Sequence, residues 1–271
     1  MPEGDTVWRT ARALDRALAG ANIAKADLRV PAHATADLAE MTVVSVSPRG
    51  KHLLMAVASP ASARADGASE LVFHTTLGMD GKWRIYRHGE VWRGGPGHAI
   101  RAVVEVQRHV AVGYWLPTVE LFKSAEAAAR LAHLGPDLLG DDWDSAEALR
   151  RMTRYGDRPI GEVLLDQRCL AGIGNVYKSE ICFLQNVAPQ TAVGKVPDLP
   201  SVILRAHQLL NLNKARANRV TTGDSRRPLW VYGRARMPCR RCGTSIRVSQ
   251  EGHDGRQRWT WWCPRCQPAV D

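Results

Sequence analysis

The sequence predicts an α+β chain of more than one domain, and three features carry that prediction. A helix-spaced stretch opens the chain, short β-type runs fill residues 41–119, and two C-x-x-C pairs close it after a helical region. With 271 residues, 45% of them hydrophobic, there is material for two cores.

Val7, Ala11, Leu14 and Leu18 recur at helical spacing, and Gly20 ends the pattern. Asp5 or Thr6 is the expected N-cap, since a short oxygen-bearing side chain can accept from first-turn amides. Strands are expected at Thr42–Val46, Leu53–Val57, Leu71–Thr75, Trp83–Tyr86, Ala102–Val106 and Ala111–Trp115. They are rich in β-branched and aromatic residues and separated by turn clusters such as Pro48-Arg49-Gly50 and Gly94-Gly95-Pro96-Gly97, the pattern of a β-sandwich or barrel. Ala58–Ser69, rich in Ala, Ser and Gly, reads as an exposed loop. Glu126–Arg154 reads as mostly helical and acidic, with breaks at Gly135-Pro136 and Gly140-Asp141-Asp142. A helix then starts at Pro159 and runs to Gln167. Cys169–Asn175 is a turn whose two glycines flank Ile173, and Val176–Phe183 is a second helix. Lys214–Arg227, basic and poor in apolar residues, reads as a mobile loop.

Net charge is +10, unevenly spread. Residues 1–149 hold 16 basic and 18 acidic side chains, whereas residues 150–271 hold 21 and 9. Such asymmetry points to a polyanion, most plausibly nucleic acid, with an ordinary solvated basic surface as the alternative. No apolar run approaches the roughly 18–20 residues that span a bilayer, and Asp5 and Arg9 interrupt any signal-peptide pattern. A cytoplasmic chain without membrane contact is expected.

The chemistry-bearing residues begin at the N-terminus. Removal of Met1 would expose the secondary amine of Pro2, with Glu3 beside it; taken alone, a Met-Pro start favours chance, and the rest of the chain has to decide. An α-amino group titrates at about 7.7–8.0, so part of it is neutral and nucleophilic near pH 7. Attack on a sugar carbon would give an iminium, with Glu3 moving protons at that centre. Lys51 lies at a turn between strands, as an edge gatekeeper or as a phosphate-reaching charge. Met79, between Gly78 and Asp80-Gly81, is either core filler or a base-step wedge. Asn175 and the helix start behind it could hold a phosphate, with an ordinary helical hairpin turn as the alternative. Cys239-x2-Cys242-x20-Cys263-x2-Cys266 has the spacing of a closed tetrahedral zinc site, one structural Zn²⁺ rather than two redox pairs. Arg256, Arg258, Trp259, Trp261 and Trp262 lie between the pairs, on a hairpin expected to present Arg and aromatics on one face as a DNA-contact surface, with a packed tryptophan core as the alternative.

MPEG at the start, RGKHLL at 49–54, LGMDG at 77–81, LLDQRCLAGIGNVYKSEI at 164–181 and RWTWWCPRCQ at 258–267 resemble the formamidopyrimidine-DNA glycosylase / endonuclease VIII family, in the family's order. The resemblance implies an N-terminal β-sandwich domain at 1–125, a helical linker at 126–150, a helix–two-turns–helix domain at 151–228 and a zinc finger at 229–271, with DNA in the cleft between domains. It implies that Pro2 is the Schiff-base nucleophile and Glu3 the general acid. Lys51 would contact phosphate and assist elimination, Met79 would fill the void, and Asn175 and Arg258 would grip phosphate, Arg258 beside the lesion. Cys239, Cys242, Cys263 and Cys266 would bind zinc.

Two departures stand out. Asp5 and Thr6 occupy positions where the family usually has Pro and a second Glu. Pro117-Thr118-Val119-Glu120-Leu121 replaces the Arg-Arg-Phe run of the formamidopyrimidine branch, which favours the endonuclease VIII branch. The expected activity is therefore that of a monomeric bifunctional glycosylase and AP lyase that flips a damaged base and cuts by β,δ-elimination. Its substrates would be oxidised pyrimidines opposite any base, in double- and single-stranded DNA. A non-catalytic damage- or junction-binding zinc protein, and a zinc ribbon serving protein partners, are the other classes.

Overall fold

A computed structural model describes residues 1–60, 70–251 and 258–268 of the chain. It contains two compact units, Met1–Ala132 and His133–Asp271. Residues 61–69 of the expected loop, and Arg256, lie outside the described residues.

Helix α1 of the first unit spans Gly4–Leu18, and the four periodic residues that predict it are all buried. It starts earlier than expected. Glu3 is the N-cap, its carbonyl accepting from Thr6 N at 2.9 Å and Val7 N at 3.0 Å. Neither Asp5 nor Thr6 caps the helix, because Asp5 lies inside the first turn, where its carboxylate accepts from Thr6 N at 2.8 Å. A negative charge is favoured there by the helix dipole.

Eight strands follow among the described residues: β1 Ile23–Leu28, β2 Thr42–Arg49, β3 His52–Ala58, β4 Leu71–Thr76, β5 Lys82–Arg87, β6 Ile100–Val106, β7 His109–Tyr114 and β8 Thr118–Lys123. They form two antiparallel sheets, ordered β1-β6-β7-β5 and β2-β3-β4-β8. Val43, Leu53, Val57 and Phe73 from one sheet join Trp83, Ala102, Val104 and Ala111 from the other in a single core, to which α1 adds Val7, Leu14 and Leu18. The unit is a sandwich of two sheets, not a barrel. In β6, Ile100 and Ala102 share a parity yet enter different clusters, because a register shift separates them. One extra residue flips the face that follows.

A short α2, Ala127–Leu131, ends the first unit. The second unit holds α3 Ser145–Thr153, α4 Ile160–Leu165, α5 Asn175–Leu184 and α6 Leu199–Asn213. Glu126–Arg154 is thus helical only near its ends, and the turns between keep Leu134 and Leu138 buried. Asp144 caps α3 through Ala146 N and Glu147 N at 2.9 and 3.0 Å. Helix α6, capped by Asp198 on Ser201 N at 2.9 Å, packs Val202, Ile203, Ala206, Leu209 and Leu210 into the unit's main core. Strands β9 Arg247–Glu251 and β10 Arg258–Trp262 pair antiparallel. The stretch Lys214–Arg227 has neither helix nor strand, but Asn213 ties it down through Val220 N at 2.7 Å and Val220 O at 3.0 Å. Among the described residues no helix is long and apolar enough to cross a membrane.

Candidate functional site

In the first unit the site residues are set by where α1 begins and where two turns fall. Pro2 is half-buried one position before the N-cap, and Glu3 and Asp5 are both fully buried. Asp5 turns back onto Thr6 and lies 3.9 Å from Arg9, so its carboxylate belongs to the helix start.

Gly50 and Lys51 are the two turn residues between β2 and β3, where Arg49 pairs with His52. Gly50 has φ +56 and Lys51 does not share the positive region, as in a hairpin turn with glycine first. Beside it runs a side-chain network not read from the sequence. His52 Nδ1 lies 2.8 Å from His74 Nε2, and His74 Nδ1 lies 3.0 Å from Glu120 Oε2. If His74 donates through Nδ1 to Glu120, neutral His74 accepts at Nε2 and His52 donates through its own Nδ1. One carboxylate thereby orders two tautomers as far as the residue next to Lys51.

Met79 is 60% exposed at the tip of the turn between β4 and β5, so it does not fill a core gap. The turn needs its glycines. Gly78 has φ +57, and a Cβ on Gly81 would sit 2.3 Å from Leu77 O.

In the second unit the α4–α5 connection is stapled by Gln167. Its Nε2 donates to Leu165 O and Ile173 O at 2.8 and 3.0 Å, and its Oε1 accepts from Gly172 N at 3.0 Å. Gly172 stands at φ +113, which glycine alone adopts easily. Asn175, the first residue of α5, is buried and donates to Trp259 O at 2.6 Å. One turn on, buried Lys178 donates to Thr260 Oγ1 at 2.5 Å. These bonds hold the β10 strand against α5 and bring exposed Arg258 beside Asn175's partner. The expected single face of Arg and aromatics is split. Alternation puts Arg258 with buried Thr260, while Trp259 is 51% exposed and Trp261 packs on Tyr232 at 4.5 Å.

Cys239, Cys242, Cys263 and Cys266 converge, all four sulfurs lying within 4.8 Å of one another. Cys239 and Cys266 are 3.9 Å apart and Cys242 and Cys263 3.5 Å apart. Four thiolates about 2.3 Å from one tetrahedral ion would be about 3.8 Å apart, and disulfide sulfurs about 2.05 Å apart. The donor set fits a metal ion.

The family model for the formamidopyrimidine-DNA glycosylase N-terminal domain matches residues 1–115, and the model for the helix–two-turns–helix domain of the same glycosylase matches residues 134–208. A protein named probable endonuclease 8 2 from Streptomyces coelicolor is 49% identical, covering 98% of this chain and 94% of its own. The chain belongs to the formamidopyrimidine-DNA glycosylase / endonuclease VIII family. DNA-(apurinic or apyrimidinic site) lyase Nei2 of Mycolicibacterium smegmatis is 45% identical over 99% of this chain and 100% of its own. Formamidopyrimidine-DNA glycosylase of Yersinia pseudotuberculosis is 30% identical over 98% of this chain and 100% of its own. The chain thus sits with the endonuclease VIII branch, as residues 117–121 predict. The fold matches Lactococcus lactis formamidopyrimidine-DNA glycosylase bound to AP-site DNA, with TM-score 0.78 and 20% identity over 98% of this chain and 99% of the other.

Glu180 is the clearest residue that the sequence did not single out. Its buried carboxylate accepts from Trp230 N, Val231 N and Tyr232 N at 2.8, 2.8 and 2.9 Å, and from the Thr221 hydroxyl. Its partners lie some 40 to 50 positions onward, out of reach of local periodicity.

Proposed function

We propose that this chain is a monomeric, cytoplasmic bifunctional DNA glycosylase and AP lyase. It acts on oxidised bases, pyrimidines first, in double- and single-stranded DNA. One observation carries the reading: Pro2 directly precedes the α1 N-cap, half-buried and beside a fully buried Glu3. The family membership and the AP-lyase name of a relative 45% identical support it.

With Met1 removed, the Pro2 amine attacks C1′ of an extruded nucleotide while Glu3 supplies protons. The C1′–base bond breaks and the base leaves. The sugar ring then opens as the C1′–O4′ bond breaks and O4′ takes a proton, leaving an iminium between C1′ and Pro2. This iminium withdraws electrons, so a C2′ proton is lost and the 3′ phosphate departs by β-elimination. A second elimination releases the 5′ phosphate, and water frees Pro2. Lys51 holds a phosphate on the hairpin turn and assists elimination. Met79 enters the vacated stack, and Asn175 and Arg258 grip phosphates flanking the lesion. The four cysteines hold one Zn²⁺, whose part is structural: it ties the β9–β10 hairpin that carries Arg258.

Borohydride trapping tests the reading. Wild type is expected to give a covalent adduct with abasic DNA that maps to the N-terminal peptide, and any residue left before Pro2 should abolish it. An adduct mapping to Lys51, or tight binding without an adduct, would overturn it.

A further inference from the structure

The resemblance sets residues 117–121 where the other branch carries its Arg-Arg-Phe run, and the fold commits residues 118–121 elsewhere. Thr118–Lys123 is strand β8, paired along its length with β4. Val119 lies in the sandwich core, and Glu120 is engaged by His74.

Three positions before that strand the backbone does something unusual. Trp115 has φ +48, in the left-handed region where a bulky aromatic is an outlier, and it is 40% exposed. Its N–H donates to Ala99 O at 2.7 Å, which fixes the conformation. Its ring is seated as well. Lys82 Nζ lies 5.3 Å from the ring centroid and the Tyr114 ring 6.2 Å away, while a Cβ on Gly95 would come within 2.5 Å of the ring's far edge. Strain of this kind persists where the surroundings over-determine it, commonly at ligand sites.

The same segment abuts the Met79 turn. A Cβ on Gly81 would lie 2.9 Å from Trp115 O, and one on Gly78 would lie 2.7 Å from Pro117 Cγ. Two exposed apolar side chains, Met79 and Trp115, therefore leave from two loops in backbone contact. Trp92, also exposed in this unit, stacks on Tyr86 with centroids 6.3 Å apart.

We propose that Trp115 is the second wedge of this enzyme, stacking on the base left unpaired opposite an extruded nucleotide while Met79 fills the vacated position. The proposal rests on the glycosylase reading above. An indole meets a base through its π-face, which every base has, whereas an arginine reads the donors and acceptors of the edge. The orphaned base is therefore held without being identified, so all four partners are accepted, purines somewhat better for their larger face. A single strand has no orphaned base, and Trp115 contributes nothing there.

The test uses the full-length chain with Trp115→Gly, which suits the positive φ, and Trp115→Phe, which keeps a ring. Rates are measured on an oxidised pyrimidine in duplex and in single strands. Fluorescence of 2-aminopurine opposite a non-cleavable abasic analogue reports stacking. One base stack is worth about tenfold or more in affinity or rate. Trp115→Gly is expected to lose about that factor on duplex, to keep the wild-type single-strand rate and to leave 2-aminopurine bright. Trp115→Phe and Trp92→Ala should behave as wild type. Equal losses on both substrates, or a glycine variant that matches wild type on duplex, would overturn the proposal while wild-type trapping leaves the glycosylase reading standing. Absence of any trapped adduct with wild type would remove both.

Discussion

Glu180 shows at the scale of one residue how the second unit is closed. Burial pushes its carboxyl upward, while the Thr221 hydroxyl and the three amides at 230–232 pull it back. All four partners donate, so both oxygens act as acceptors. Glu180→Ala should remove the acceptor of three amides, of which that of Val231 is buried, and cost about 3 kcal/mol, read by denaturant unfolding. Glu180→Gln should also destabilise, because its NH2 would face donors; a neutral effect would show that the loop holds itself. Cys169 and Cys182 make a second residue-scale case. Burial pushes their thiols up from 9.0 to about 11 and about 12 respectively. A raised folded-state value gives stability that is whole below the ordinary thiol pKa and is lost as pH climbs through the folded one. Stability should therefore fall from about pH 9 upward, and Cys169→Ala with Cys182→Ala should flatten that fall. Neither thiol should react with iodoacetamide at pH 8 in the folded chain. Glu180 and Cys169 stand inside the motif at 164–181 and Cys182 directly follows it, yet nothing local distinguishes them from other positions. Their roles come from chain segments that only folding brings near.

Among elements, what was legible depended on whether burial follows the local period. The six expected strands alternate or run apolar and are present. Strand β1, reading I-A-K-A-D-L, has no clean alternation, and β8 places Glu120 mid-strand because His74 receives it. Helix α6 carries a readable stripe and an Asp-x-Pro-Ser start that the sequence reading passed over. The attachment of β10 to α5 was not legible, since it depends on Lys178 reaching Trp259 O and Thr260 across about 80 positions. This joint makes its own prediction. Replacing a buried charge with an apolar side chain of similar length often changes stability little. Lys178→Met should thus leave the unfolding free energy within about 1.5 kcal/mol of wild type. DNA affinity should nevertheless fall, because Arg258 loses the strand anchor that aims it. A variant that binds DNA as wild type does would show that Asn175 alone anchors the strand.

At the scale of the molecule, charge follows the chain more finely than its two units do. Residues 1–132 carry 16 basic and 13 acidic side chains, and residues 133–271 carry 21 and 14, so the acidic run before residue 150 shares a unit with the basic excess after it. Part of that excess is already answered. Glu147 bonds both Arg150 and Arg151 at 2.6 Å, and Asp166 bonds Arg168 at 2.6 Å. Arginines held by carboxylates release few counterions on meeting a polyanion, so net charge overstates the phosphate contacts. Affinity for duplex DNA should fall with log[salt] at a slope of about −0.9 per phosphate neutralised. Arg258→Ala should shallow the slope by about one contact, uniformly across lesions and opposite bases, because a phosphate carries no sequence. Arg150→Ala should leave the slope unchanged. Chelation should act like Arg258→Ala with a greater loss: with the sulfur cluster empty, the β9–β10 hairpin loses the tie at Cys239, Cys242, Cys263 and Cys266, while the sandwich core of the first unit owes nothing to those residues. The measurement is affinity against salt for the wild-type, Arg258→Ala, Arg150→Ala and chelated proteins, with unfolding followed in parallel. An unchanged slope after chelation, with elemental analysis showing no metal left, would mean that the hairpin holds Arg258 in place without a metal ion.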